Sequence, residues 1–330
     1  MSIVFPKLKI STLVNVILAA LALHAAGVCA QAGYPAKPIQ FVVPYPPGGS
    51  NDLFARAVGK RLAEALGQPV VIDNRAGAGG SLGAALVAKA APDGYTLAIV
   101  SSSFTTNAAI QSKLPFDPVG GFSAVALVGK GPLVLAASSR LGLKSPQEFL
   151  ALARARPGSL NYATSGAGSI NHFATELLKV AAGLNLTHVP YKGMGPAVND
   201  LVGGHVDLII ASAPSVLSQV KAGKVTGIAV TSEHRSPVVP ELPALAESGI
   251  PGYSVELWWG VLAPAGVPKD VVARLNAEIN AGLASPEMKA FLLREGAESS
   301  AASPEAFAGL IRTEIGRWRK VAKDANIQPE

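Results

Sequence analysis

IQFVVPYPPGGSNDLFARAVGKRLAEALG, residues 39–67, is the stretch from which we predict the fold. A short apolar and β-branched run, 39–44, leads into a turn rich in Pro and Gly. A segment of helical periodicity, 52–66, follows and ends at Gly67. Short Val/Ile-rich runs are typical of buried parallel strands, and glycine after a helix can take the left-handed conformation that closes it. The stretch therefore predicts one strand–turn–helix unit of a parallel sheet.

The same alternation continues along the chain. Further strands are predicted at 70–73, 96–101, 160–164, 187–191, 206–211 and 225–231. Helices are predicted between them at 83–90, 145–155, 171–182 and 215–222. The C-terminal segments 269–283, 286–295 and 304–324 are predicted to be amphipathic helices without strands. Repeated βαβ units of this kind predict an α/β fold.

Two segments are candidates for crossing between two lobes. The run 124–137 contains two apolar stretches in tandem, separated by Gly131-Pro132, and 256–264 is a second apolar run. A chain of 330 residues with 49% hydrophobic residues is long enough for two lobes. We predict that lobe 1 comprises 33–131 and 255–330 and that lobe 2 comprises 132–254.

The N-terminal segment predicts export. Two lysines precede an apolar stretch and small residues follow it, which is the pattern of a signal peptide over 1–32. Cleavage after Ala30 or after Ala32 satisfies the small-residue rule, and both stay open. An uncleaved anchor, or a lipoprotein beginning at Cys29, is the alternative. Cys29 is the only cysteine, so its removal would leave a mature chain without disulfide or thiol chemistry.

Composition argues against nucleic acid as a partner. The precursor carries a formal charge of +6, but the excess is diffuse and aromatic residues make up only 6%. Nucleic-acid binding requires clustered Lys and Arg with aromatic residues. The mild positive balance instead suits a small anion.

Five turns rich in Gly, Ser, Thr and Asn open predicted helices. They are PPGGSND (46–52), GAGGSLG (77–83), SSFTTN (102–107), SGAGSIN (165–171) and KGMGPA (192–197). In a parallel sheet such turns lie together at the carboxyl edge, where ligands bind. Helix N-termini stabilise oxyanions through unpaired N–H groups and the macrodipole. Ordinary helix capping explains any one turn taken alone, but five in one chain favour an anion site.

Several motifs have competing interpretations. GAGGSLG resembles a dinucleotide fingerprint, but its third glycine arrives one residue late. It also matches the G-x-S-x-G elbow of serine hydrolases, with Ser81 as nucleophile. His172 and Glu176 are four residues apart and could share a metal, although no second pair at metal spacing accompanies them. Asp52 either offsets the dipole of its helix or binds an ammonium or hydroxyl of the ligand.

The motifs together resemble one family. In chain order they are VPYPPGGSND, VVIDNRAGAGGSLGA, PDGYTL, LPFDP, LNYATSGAGSINH, HVPYKG, GHVDLI, AGKVTGIAVTSEHRSP, GIPGY and WWGVLAPAGVP. They are similar to motifs of the tripartite tricarboxylate transporter receptors, also called Bug receptors. The resemblance implies a type II periplasmic-binding-protein fold of class α/β, with two Rossmann-like lobes joined by two crossing strands.

The resemblance also implies a set of ligand-binding residues. Carried onto this chain, they are Tyr45, Pro47, Gly48, Gly49, Ser102, Ser103, Thr105, Asn107, Ser165, Gly166, Gly168, Ser169 and His172, bordered by Tyr191, Lys192 and Gly193. Asp52 joins this set as a further candidate. A polar residue that varies in the family stands where this chain has 211–214, so the identity of the ligand stays open.

The expected function is that of a monomeric periplasmic receptor. It would capture a small carboxylate between its lobes and deliver it to membrane permease subunits, without catalysis, a cofactor or a metal. A periplasmic sensor that presents the ligand to a regulatory protein is the nearest alternative. The alternative from another class is a secreted serine hydrolase that uses Ser81.

Overall fold

The sheet of the first lobe begins with three parallel strands. They are β1 (Ile39–Val43), β2 (Val70–Asn74) and β3 (Thr96–Ser101), and β1 lies between the other two. They alternate with helices α1 (Ser50–Leu66), α2 (Ser81–Ala88) and α3 (Ser103–Ile110). Gly67 closes α1 with a φ of 67°, in agreement with the sequence. The computed structural model describes residues 33–111 and 113–327, so the predicted signal peptide lies outside the described residues.

One long strand, β4 (Phe122–Ser138), passes from the first sheet into a second. Over 122–132 it pairs antiparallel with β9 (Glu256–Pro264), and over 133–138 it pairs with β7 (Leu208–Ser212) and β8 (Val225–Val230). The predicted lobe boundary at 131/132 therefore lies one residue before this change of partners. The sequence suggested two stretches because Gly131-Pro132 interrupts the apolar run. The structure shows one continuous strand, with the proline where the partners change.

The second sheet repeats the strand–helix alternation. It contains β5 (Asn161–Thr164) and β6 (Thr187–Pro190) besides β7 and β8, and β5 pairs parallel with both β6 and β7. Its helices are α4 (Pro146–Ala155), α5 (Ile170–Ala182), α6 (Met194–Gly203) and α7 (Ala213–Lys221). Because β5, β6 and β7 run parallel, their C-termini and the N-termini of the helices that follow them, α5, α6 and α7, lie at the same edge of the sheet.

The chain returns to the first lobe next to β4. Thr231, which is fully buried, donates its N–H to the carbonyl of Leu133 at 2.9 Å. Val255 in turn donates its N–H to the carbonyl of Thr231 at 2.8 Å. β9 then pairs with β3 and β4. The backbone segments around Leu133, Thr231 and Val255 are therefore joined in one hydrogen-bonded array between the lobes.

The C-terminal part covers the first lobe with helices α8 (Lys269–Ala284), α9 (Pro286–Arg294) and α10 (Pro304–Asp324). The prediction of helices alone was incomplete, because β10 (Glu298–Ser299) pairs with β4. Two residues are too few to show strand periodicity in a sequence. Trp318 of α10 packs edge-on against Phe173 of α5 at 5.4 Å, so this helix also contacts the second lobe.

Nowhere in 33–111 or 113–327 is there a helix with the length and apolar character to cross a bilayer.

Candidate functional site

A cavity of about 470 Å³ opens between the two lobes. The first turns of five helices line it: Ser50 and Asn51 of α1, Ser103 of α3, Ile170 and Asn171 of α5, Met194 of α6, and Ser215 of α7. The first N–H groups of a helix have no partner within the helix, and the macrodipole there is positive. The cavity thus gathers positive dipole ends from both lobes.

No charged side chain lines this cavity among the described residues. Its polar groups are serine hydroxyls, asparagine amides, the Tyr45 phenol and backbone, and its apolar part includes Leu133, Leu257 and Trp259. Burial raises the pKa of Tyr45, so this phenol stays neutral. An anion in the cavity would therefore be held by neutral hydrogen-bond donors and helix dipoles rather than by a cation.

Some of the residues predicted from the sequence line the cavity directly. These are Tyr45, Ser103, Asn107, Ser165, Ser169 and Gly193. Asn107 also donates from Nδ2 to the carbonyl of Gly79 at 2.6 Å, which fixes the amide against a neighbouring turn. Three of the five predicted turns are represented among these residues; Gly79 adds the turn 77–83, and Ser50 and Asn51 add the turn 46–52.

The other predicted residues lie beside or behind the lining. They are Pro47, Gly48, Gly49, Asp52, Ser102, Thr105, Gly166, Gly168, His172, Tyr191 and Lys192. Thr105 is fully buried and donates from Oγ1 to the carbonyl of Ser102 at 2.8 Å, so its hydroxyl faces its own helix. Tyr191 donates its hydroxyl to Asp200 at 2.5 Å, and Lys192 is exposed. A direct contact between any of these residues and a ligand stays a prediction.

Two predicted backbone donors already have acceptors within the protein. The N–H of Gly48 donates to Asp52 Oδ2 at 3.0 Å, and the N–H of Gly168 donates to His172 Nδ1 at 3.2 Å. The resemblance implied that both glycines belong to the ligand-binding set. In the structure their amide groups instead hold the turns in shape.

Asp52 is a structural acid of the first helical turn. It is 3% exposed and accepts hydrogen bonds from the Gly48 N–H, from Arg56 and from Asn74 Nδ2, each at 3.0 Å. Burial by itself raises the pKa of this carboxyl, but the bonds from Arg56, Gly48 and Asn74 outweigh burial and hold the pKa below its ordinary value. Of the two interpretations of Asp52, the structure therefore favours the dipole-offsetting acid.

His172 supports the 165–171 turn from behind. Its ring stacks on His188 at 4.0 Å, and its Nε2 lies 3.9 Å from Glu176 Oε1. Burial, followed by the nearby His188, lowers the pKa of His172 to about 4, although Glu176 opposes the shift. The neutral ring can thus accept the Gly168 N–H at Nδ1.

The metal interpretation of His172 and Glu176 gains no support. Glu176 accepts hydrogen bonds from Lys179 at 2.7 Å and from the Tyr162 hydroxyl. The described residues contain no cluster suited to a metal ion.

The lobes touch at the edge of the cavity through Gly168 and Ile110. A Cβ atom added at Gly168 would lie 2.4 Å from Ile110 Cδ1, which is far inside van der Waals contact. Gly168 also has a φ of 74°, a conformation that side chains disfavour. Glycine at this position therefore lets the second lobe approach α3 of the first.

Sequence reasoning missed several residues of the lining. Ser212 is the last residue of β7, Ser215 lies in the first turn of α7, and their hydroxyls share a hydrogen bond of 2.7 Å. In the sequence, 211–214 stood out as a position that varies in the family, but neither serine was assigned to the site, because this turn lacks glycine; its position after a strand could have revealed it. Trp259 belongs to the apolar run 256–264, which the sequence indicated only as a crossing between the lobes. It lines the cavity, donates from Nε1 to Ser50 Oγ at 3.1 Å and packs edge-on against Phe54.

Ser81 does not occupy a nucleophile elbow. β2 ends at Asn74, and a short 3₁₀ turn, Ala78–Gly80, intervenes before Ser81 begins α2. An elbow requires the strand to run directly into the serine. Ser81 is 7% exposed and does not line the main cavity.

Comparison with known proteins adds the family context. A family model described as "Tripartite tricarboxylate transporter family receptor" matches residues 54–327. The chain is 39% identical over 297 residues to protein BugT of Bordetella pertussis, covering 89% of this chain and 91% of BugT.

Solved structures share both fold and sequence with the chain. An R. palustris protein with adipate is 38% identical, with a TM-score of 0.82 over 90% of this chain and 100% of that one. MatC of Rhodopseudomonas palustris with bound malate is 35% identical, with a TM-score of 0.76 over 87% of this chain and 99% of that one. These similarities confirm the predicted fold class and the resemblance derived from the motifs.

Proposed function

The chain belongs to the tripartite tricarboxylate transporter receptor family, and we propose that it captures a small carboxylate between its lobes and delivers it to a membrane permease. Members of this family are periplasmic solute-binding receptors and not enzymes. The serine hydrolase alternative is therefore set aside. Neighbours in fold and sequence hold adipate and malate, which makes a carboxylate the first choice of ligand.

The single observation that carries the proposal is the convergence of helix N-terminal turns from both lobes on a cavity that is lined, within 33–111 and 113–327, by uncharged residues. Each charge-assisted hydrogen bond to a carboxylate contributes roughly 1.5 to 3 kcal/mol. A few such bonds, less the entropy lost on association, correspond to about micromolar affinity. That affinity suits the capture of a dilute nutrient.

The backbone array between the lobes would serve as the hinge. With lobe 1 at 33–131 and 255–330 and lobe 2 at 132–254, the bond from the Val255 N–H to the carbonyl of Thr231 would join the two lobes. The ligand would bridge the helix N-termini of the two lobes and so favour the closed form. The predicted signal peptide over 1–32 would direct export and would then be removed, which would leave the mature receptor in the periplasm.

Ligand capture is tested with the purified mature chain by thermal unfolding in a series of carboxylates. A specific ligand should raise the melting temperature with concentration, since about 100 times Kd of ligand adds about 2.7 kcal/mol. Ser103→Leu would place an apolar side chain in the cavity and should reduce the shift. Ser139→Leu, at an exposed site outside the lining, is the matched control. No shift with any carboxylate at millimolar concentration would refute the proposal.

Delivery to a permease requires a second experiment. Cells lacking this receptor should lose uptake of the radiolabelled ligand and regain it with the wild-type chain. Ser103→Leu should restore uptake poorly. Unimpaired uptake in the deletion strain would instead favour a sensor role.

A further inference from the structure

We propose that His172 and His188 act as positioning residues that hold the turn 165–171 in the conformation that receives the ligand. Neither imidazole lines the cavity. The turn itself supplies five lining residues: Ser165, Ala167, Ser169, Ile170 and Asn171. Groups that fix this turn from behind therefore shape a large part of the cavity wall. The consequence for affinity rests on the proposed function, whereas the consequence for the turn does not.

Two glycines make this turn adaptable by itself. Gly166 has a φ of 124° and Gly168 has a φ of 74°. Glycine adopts such angles without steric cost, but it loses more conformational freedom than other residues when it is fixed. If the turn became ordered only when a ligand arrived, the loss of freedom would be subtracted from the affinity. Contacts that fix the turn beforehand therefore strengthen binding.

The two imidazoles hold the turn at two points. His172 Nδ1 accepts the N–H of Gly168 at 3.2 Å. His188 Nε2 lies 2.7 Å from Oγ1 of Thr164, the fully buried last residue of β5. The Thr164 hydroxyl also lies 3.3 Å from the backbone N and from the carbonyl oxygen of Gly166. One ring is thus bonded to the middle of the turn and the other to its beginning.

The two rings are themselves fixed by stacking. The ring centroids of His172 and His188 are 4.0 Å apart, with 13° between the planes. The ring of Tyr162 lies 5.0 Å from that of His188 at 19°, and its hydroxyl donates to Glu176. The three rings come from α5, β6 and β5. Neither imidazole can therefore rotate without disturbing the packing of neighbouring elements.

The bond from the turn to His172 requires a neutral ring. The titratable groups around this ring are His188 from β6, Tyr162 from β5, and Glu176 and Lys179 from α5. Burial, followed by His188, lowers the pKa of His172 to about 4, although Glu176 opposes the shift. A protonated imidazole has no acceptor. The ring therefore keeps its acceptor for the turn throughout the neutral range of pH.

Two substitutions at His172 separate the acceptor from the ring. His172→Phe keeps a ring for the stack but has no acceptor, whereas His172→Asn lacks the ring but can place an oxygen where Nδ1 lies. Amide hydrogen exchange of the ligand-free chain at neutral pH reports the opening of the turn. The Ser169 amide should exchange about tenfold faster in His172→Phe than in wild type, and His172→Asn should recover part of this protection. Unchanged exchange in a folded His172→Phe would overturn the inference.

Thr164→Val tests the second point of attachment and does not depend on the folding of His172→Phe. It removes the hydroxyl that contacts His188 while changing the side-chain volume little. The Ser169 amide should again exchange about tenfold faster than in wild type. His205→Phe, at an exposed position of the same lobe, is the control and should leave this rate unchanged. Wild-type exchange in Thr164→Val would overturn the role of His188.

Calorimetry with adipate, malate and the other carboxylates of the thermal series then measures the effect on affinity. For each acid that binds wild type, Kd should rise about tenfold in His172→Phe and in Thr164→Val at neutral pH, with circular dichroism as the check of folding. Faster exchange with an unchanged Kd would overturn the role of the pair in binding. If wild type bound none of these acids, the proposed function would fail, and the exchange rates alone would decide whether the pair holds the turn.

Discussion

Acidification from pH 8 to pH 5 should destabilise the protein by about 2 kcal/mol through His172 alone. This ring is 7% exposed, stacks on His188 and accepts the Gly168 N–H. Burial, then His188, lowers its pKa from 6.5 to about 4 in the folded protein. Protonation would place a charge in this buried site and remove the acceptor for the Gly168 N–H.

The magnitude follows from the difference between folded and unfolded protonation. In the unfolded chain His172 takes up its proton as the pH falls through about 6.5, whereas in the folded protein it remains neutral down to about pH 4. Between these two pH values the unfolded state binds more protons than the folded state. The contribution of His172 to the free energy of unfolding is therefore fully present above pH 6.5 and is lost as the pH falls. At pH 5 the loss is about 2 kcal/mol, and it reaches about 3 kcal/mol below pH 4.

Urea unfolding of wild type and His172→Gln at pH 8 and pH 5 measures this contribution. Glutamine cannot be protonated in this range. Between pH 8 and pH 5 the free energy of unfolding of the variant should therefore fall by about 2 kcal/mol less than that of wild type. His205→Gln, at an exposed position, controls for the loss of an imidazole as such. An equal pH dependence in wild type and His172→Gln would refute the assignment of a buried neutral ring.

Three further substitutions test the site and its supports. Trp259→Phe should remove most of the ligand-induced change in tryptophan emission, because Trp259 lines the cavity, while Trp318→Phe should keep it; the opposite pattern in a fluorescence titration would contradict this location of the site. Gly168→Ala should raise Kd about tenfold by calorimetry, since its Cβ would collide with Ile110, and added Ile110→Ala should recover part of the loss. No recovery would argue against contact between the lobes as the cause. Asp52→Asn should lower the free energy of unfolding by about 2 to 3 kcal/mol in urea at neutral pH, because it removes the charge that accepts buried bonds; an unchanged midpoint would contradict this.

Local sequence was sufficient to predict the repeated unit and the edge of the sheet where the cavity lies. Pro and Gly after the run at 39–44 marked the turn, and Gly67 marked the end of α1. These features depend on interactions within a few residues, so they can be read without knowledge of the fold. Because parallel strands expose their carboxyl ends together, the turns could also be assigned to one site.

The direction of each side chain at that edge could not be predicted in this way. Ser102 and Ser103 are neighbours in one motif, yet Ser102 is fully buried and Ser103 lines the cavity. The rotation of α3 about its axis decides between them, and the packing of α3 against distant elements sets that rotation. For the same reason Asp52 faces Arg56 and Asn74 instead of the cleft.

The sequence by itself thus determined the strand–turn–helix units, the helix ends and the neutral, dipole-rich chemistry of the turns. Only the tertiary structure decided that β4 continues through Pro132 into a second sheet and that Trp259, Ser212 and Ser215 join the cavity wall. The physical reason is the range of the interactions. Helix caps and turns depend on residues a few positions apart, whereas a cavity wall depends on long-range pairing that brings distant segments together.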